Sequence, residues 1–67
     1  MESVYKVIDI IGTSTKSWDD AARVAVTTAS KTLRDLRVAE VKEMDMKVED
    51  DNLVFRVKMS ISFKYED

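Results

Sequence analysis

The chain contains neither cysteine nor histidine. Without cysteine it has no disulfide and no thiolate metal site. Without histidine it lacks the commonest general base and the commonest metal ligand. Any metal would be held by oxygen, which favours Ca²⁺ or Mg²⁺ over Zn²⁺. A catalytic pair would have to come from carboxylates, lysine or tyrosine, and no spacing singles one out. Ser14, Ser17 and Ser60 have no visible base, so the chain reads as a non-enzyme. No apolar run approaches the roughly 20 residues of a membrane span. The N-terminus has no signal-peptide layout, which makes a cytoplasmic protein the expectation. Charge of one sign is also missing: 11 basic and 13 acidic residues leave a net charge of -2, with no pull toward nucleic acid or an anionic membrane. Only one glycine and one tryptophan occur.

What is present is a strong period-two pattern. From Leu53 to Tyr65 the apolar Phe55, Val57, Met59, Ile61, Phe63 and Tyr65 alternate with Arg56, Lys58, Ser60, Ser62 and Lys64. That is a β-strand with one dry face and one wet face. It is longer than the usual strand of about 5–6 residues, so it is expected at the centre of a sheet. Val4 to Ile11 predicts a first strand that ends at Gly12, where a bend or a positive φ is expected. Both of its faces are mostly apolar, so both are expected to be at least partly covered.

Ser17-Trp18-Asp19-Asp20 is a capping-box-like helix start, with Asp in the Glu/Gln position. The stripe Trp18, Ala22, Ala25, Ala29, Leu33 and Leu36, with Ala21 beside it, predicts a helix from Trp18 to Leu33, fraying toward Leu36. Its alanines let it lie close to a sheet. Lys31 and Arg34 are expected near its negative end. Val38 to Val48 predicts a second strand whose apolar row switches between Val41 and Met44, the mark of a bulge or bend. Glu49-Asp50-Asp51-Asn52 is a hairpin turn by composition.

The order is strand, helix, strand, strand. With the last strand between the other two, the chain is an α+β, β-α-β-β unit: a three-stranded antiparallel sheet with one helix on one face, a single domain over residues 1–67. Nothing in the chain then covers the second face, with Tyr5, Val7 and Ile11. At 67 residues a domain buries only about 60% of its unfolded surface and is marginal alone. Disulfides being absent, self-assembly is the expected remedy.

VYKVIDIIGTS, SWDDAARVAVTTASKTLRDLRVAEV and the long alternating last strand together resemble the dodecins over nearly the whole chain. The resemblance implies a β-α-β-β subunit whose sheet wraps the helix, and a hollow homododecamer built from trimers. It implies a ligand store without catalytic turnover, with flavin (FMN or riboflavin) as the ligand of many members. Flavin-binding dodecins carry a stacking Trp in a segment like L-x-W-x-E-V; here Leu36-Arg37-Val38-Ala39-Glu40-Val41 puts Val38 at that position. They use Gln in a Tyr-Gln pair to hold the flavin ring; here the pair is Phe55-Arg56. Stacking is worth roughly 0.5–1.5 kcal/mol beyond burial, which valine does not supply. Arg56 donates but cannot accept, so it does not reproduce an amide. Glu43 matches the acidic position near the flavin's ribityl chain, so Val38, Glu43 and Arg56 are the candidate cofactor residues. RVAEV, Asp45-Met46 and Phe55-Arg56 resemble the calcium dodecin branch, which is associated with Ca²⁺.

Chemistry supplies the metal candidates. Glu43 and Asp45 share one side of the second strand, where two carboxylates spaced by two converge on a hard cation. The competing reading is a salt-bridged strand face with Lys42, Lys47, Arg56 or Lys58. Asp9 interrupts an apolar strand and either pairs with a basic residue or ligates. The acidic Glu49–Asn52 turn lacks the length and glycine of an EF-hand loop. Arg56 reads either as an anion contact or, more simply, as an intersubunit salt bridge to Glu40 or Glu43. Trp18 reads as a core or interface residue. The expected assignment is a cytoplasmic homododecameric shell binding calcium, with flavin binding through a modified pocket, or a plain protein-interaction module, as the alternatives.

Overall fold

A computed structural model describes residues 2–65. Strand β1 (Tyr5–Ser14) leads into helix α1 (Trp18–Ala29), then strands β2 (Leu36–Glu49) and β3 (Asn52–Lys64). The sheet order is β1-β3-β2, with both outer strands antiparallel to β3. The long alternating strand is therefore central, as its length predicts.

The inward row of β3 sets the core. Val57, Met59 and Ile61 are 0–3% exposed, and Val57 and Met59 cluster with Ala21 and Ala25, 0% and 6% exposed, on the helix. Ile10, Trp18, Ala22 and Val26 pack around them. The small helix residues permit close approach, and Gly12 completes it. A Cβ at Gly12 would lie 2.2 Å from the Ala21 carbonyl oxygen and 2.7 Å from the Ala25 Cβ. This corrects the expected role of Gly12. The strand runs on through it to Ser14 with no positive φ; glycine is needed for proximity, not for a bend.

The helix starts as predicted. Ser17 is the N-cap, its hydroxyl accepting from the Asp20 N–H at 3.0 Å. The Asp20 carboxylate accepts from the Ser14 hydroxyl at 2.7 Å, tying the helix start to the end of β1. The helix ends earlier than its apolar stripe suggests, at Ala29 rather than Leu33. Ser30 donates its hydroxyl to Thr27 O and Thr32 donates to Ala29 O, while Lys31 and Thr32 N–H groups bond three residues back. Such side-chain bonds compete with the helical ladder and tighten its last turn. Lys31 and Arg34 thus lie beyond the helix, and no basic residue occupies its last turn. Asp35, at φ 57°, reverses the chain into β2.

The β2–β3 hairpin closes through Asp50-Asp51, Asp50 taking φ 50°, with Glu49 opposite Asn52. The register shifts between Val41 and Glu43, where the sequence switches its apolar row, and again between Leu36 and Val38. β1 ends opposite Phe55, so the hairpin tip beyond it is two-stranded, and the subunit is elongated, 52 × 20 × 15 Å.

Candidate functional site

Alternation divides every strand between a face under the helix and an outer face. On the outer face the register aligns side chains in rows across β1, β3 and β2. Thr13, Arg56 and Asp45 form one row; Ile11, Lys58 and Glu43 the next; then Asp9, Ser60 and Glu40; then Val7, Ser62 and Val38. Four carboxylates, two cations and three hydroxyls thus share one face that nothing in the subunit covers. The apolar Tyr5, Val7 and Ile11 are exposed there, as expected from the sequence; within one subunit the first strand has one covered face, not two.

The predicted metal residues Glu43, Asp45 and Asp9 all lie on this face. Asp45 is held by Arg56 through two bonds, Nε to Oδ1 at 2.7 Å and a terminal nitrogen to Oδ2 at 3.1 Å. The guanidinium holds the Asp45 carboxyl below its ordinary range, chiefly through this hydrogen bonding. Asp45 in turn raises Arg56 by the same bond. Within the chain Arg56 pairs with Asp45, which its intersubunit reading, to Glu40 or Glu43, did not name. A two-residue loop at Asp50-Asp51 places Asp45 directly opposite Arg56, so counting back from the turn would have found the pair.

The Asp45 backbone is fixed from the other side of the sheet. The Trp18 indole N–H donates to the Asp45 carbonyl at 3.0 Å, and the indole meets Phe55 edge-on, centroids 5.0 Å apart. Phe55 immediately precedes Arg56, so one aromatic pair under the sheet orients both members of the ion pair above it.

Glu43 stands opposite Lys58, yet among the described residues no salt bridge joins them. Ile11, Glu43, Asp45, Arg56 and Lys58 line a shallow depression of about 30 Å³, room for one ion. Asp9 accepts from the Ser60 hydroxyl at 3.0 Å. Its row holds Glu40 on the far side of Ser60 and no cation, so it offers oxygen atoms alone. Glu40 has Lys42 within 3.5 Å, both exposed. The Asp9–Ser60 pair escapes sequence reasoning because the β1–β3 register joins residues 51 positions apart.

These donors are all hard oxygen, which suits Ca²⁺ or Mg²⁺. Among the described residues, however, no three carboxylates converge into a metal-binding group within one subunit. A cation on this face would need further oxygens, from another chain or from water, to fill its coordination shell.

The candidate cofactor residues divide. Arg56 and Glu43 lie in adjacent rows and share the depression. Val38 is 60% exposed on the same face, but its row is six β3 residues from Arg56, about 20 Å along the strand. A ligand touching all three within one subunit would have to span that length. The larger cleft, about 470 Å³, lies elsewhere, between α1 and β1, and is lined by apolar groups such as Ile8, Ile10, Val24 and Leu33.

A family model described as Dodecin matches residues 4–66. The calcium dodecin of Mycobacterium tuberculosis is 52% identical over 63 residues, 92% of this chain and 89% of the relative. Its crystal structure, described as calcium chelating with a novel calcium-binding site, matches with TM-score 0.89 over 96% of this chain and 93% of that one. The dodecin of Thermus thermophilus is 32% identical over 68 aligned residues, 100% of this chain and 99% of the relative. The structure of the dodecin from Streptomyces davaonensis matches with TM-score 0.92 at 32% identity over the whole of both chains.

Proposed function

The chain belongs to the dodecin family, and from that premise we propose that it forms a homododecameric shell whose ligand is a divalent cation, calcium first, rather than a flavin. The observation that carries the reading is the outer face itself. It presents Asp9, Glu40, Glu43 and Asp45 in successive rows, with a hydroxyl between two of them, and it presents valine where a flavin ring needs an aromatic platform. The 52% identity to a calcium dodecin supports the same choice.

The residues do what their chemistry allows. Glu43 and Asp9 supply carboxylate oxygens, and Asp45 supplies more when its guanidinium partner leaves. Symmetry brings copies of one face together, so oxygens that are too few in one subunit multiply in the assembly. The exposed Tyr5, Val7 and Ile11 are covered by the same contacts. Flavin, the second reading, rests on Arg56 and Glu43 sharing one depression while Val38 offers burial only.

A calcium-binding shell melts at higher temperature with calcium than after chelation, because a ligand bound only to the native assembly stabilises it. The expected result is a calcium-dependent rise that Glu43→Gln with Asp45→Asn removes, and no quenching of added riboflavin. A melting temperature indifferent to calcium together with riboflavin quenching would replace this reading by the flavin store.

A further inference from the structure

Arg56 sits where a cation would sit. Its fork takes both oxygens of Asp45, at 2.7 and 3.1 Å, on the rim of the small depression that Glu43 also lines. Glu43, one row away, has no salt-bridge partner among the described residues. The pair is not a casual surface contact between two floppy chains. Asp45 is pinned by Trp18 and Arg56 follows the Phe55 that Trp18 packs against, so both side chains leave a fixed backbone. Arginine makes this bidentate grip and lysine does not.

Resting on the cation reading, we propose that Arg56 is a built-in competitor for the bound cation: its guanidinium occupies the Asp45 carboxylate that would complete a site with Glu43, and so sets the affinity and selectivity of the outer face. A monovalent ion brings no more charge than the guanidinium it must displace. A divalent ion brings twice as much, and Glu43 is already free to take part. The ion pair therefore raises the threshold for binding and favours divalent over monovalent ions. The pair is exposed, so its grip is weak enough for calcium to break.

Calorimetric titration of the assembled protein with calcium chloride tests this. Arg56→Gln is expected to tighten binding roughly two- to five-fold, the range that an exposed ion pair represents. Lys58→Gln removes the same charge from the same face without releasing Asp45, and is expected to tighten it less. In the Arg56→Gln background, Asp45→Asn is expected to abolish the gain. Equal gains in Arg56→Gln and Lys58→Gln, or a gain that survives Asp45→Asn, would overturn the proposal while leaving a cation site that Glu43→Gln still abolishes. Absence of calcium binding in the wild type and in both single variants would overturn the cation reading with it. Circular dichroism and the mass of the assembly, unchanged across these exposed positions, confirm that each variant is folded.

Discussion

The half of the sheet under the helix and the strand β2 are made of similar residues but differ in what they accomplish. Beneath α1, Val57 and Met59 pack with alanines, and little of their surface, or of that of Ile61, remains accessible. β2 carries Val41, Met44, Met46 and Val48, of comparable size, and each is 44–71% exposed. Apolar composition is the same; the difference is a cover. The helix packs on β1 and β3, so the third strand and its protruding hairpin stay largely bare. One half is a core; the other is bare apolar surface of the kind that the proposed assembly would cover, in a 67-residue chain that is marginal alone.

That contrast is broken most severely in the core. Ile61→Ala is expected to cost about 2–5 kcal/mol, the range for deleting a buried branched side chain. Met44→Ala should leave subunit secondary structure intact and weaken assembly instead. Denaturant unfolding followed by circular dichroism, beside sedimentation for size, separates the two. Equal effects on both readouts would deny the division between core and interface.

Gly12→Ala tests how closely the covered half is packed. The new Cβ meets backbone at Ala21, which cannot swing away, so a loss of about 1–3 kcal/mol is expected from overpacking. A neutral result would mean that the helix shifts without cost. Ser17→Ala removes the hydroxyl that accepts from Asp20 and should cost about 1 kcal/mol, read as a lower melting temperature.

The smallest expected effect belongs to the outer face. Arg56 lowers the Asp45 carboxyl in the folded protein, so their pairing contributes stability above the ordinary value of 3.8 and loses it as pH falls through the folded one. The melting difference between wild type and Arg56→Gln is expected to be constant from pH 7 to about 5 and to shrink below 3.8. The raised Arg56 titrates in the opposite sense: its contribution is full below its ordinary range and is lost only as pH rises through the higher folded value, far above neutrality. Neutral pH therefore lies inside the window for both partners. A difference that grows on acidification would assign the effect to another group.

Much of this was legible in the sequence because it is local. The parity of Leu53–Tyr65 identifies the central strand, and the apolar row that switches between Val41 and Met44 marks the bulge. The helix end was not legible, since Leu33 and Leu36 continue the stripe while Ser30 and Thr32 bond back to Thr27 and Ala29 and stop the helix. Gly12 reads as a bend until the helix is placed above it. At the site, Glu43 and Asp45 can be read as neighbours from their spacing. The row of Asp9, Ser60 and Glu40 depends on a long-range register that no spacing encodes.

Native mass spectrometry of the purified protein, before and after chelation, bears most directly on the cation-binding shell. Twelve chains of 7.7 kDa make about 92 kDa, a closed assembly of the kind that symmetry allows. The account predicts a species at that mass carrying an excess in multiples of calcium, which chelation removes. A monomer or dimer, or a 92 kDa species whose excess matches a flavin and survives chelation, would contradict it.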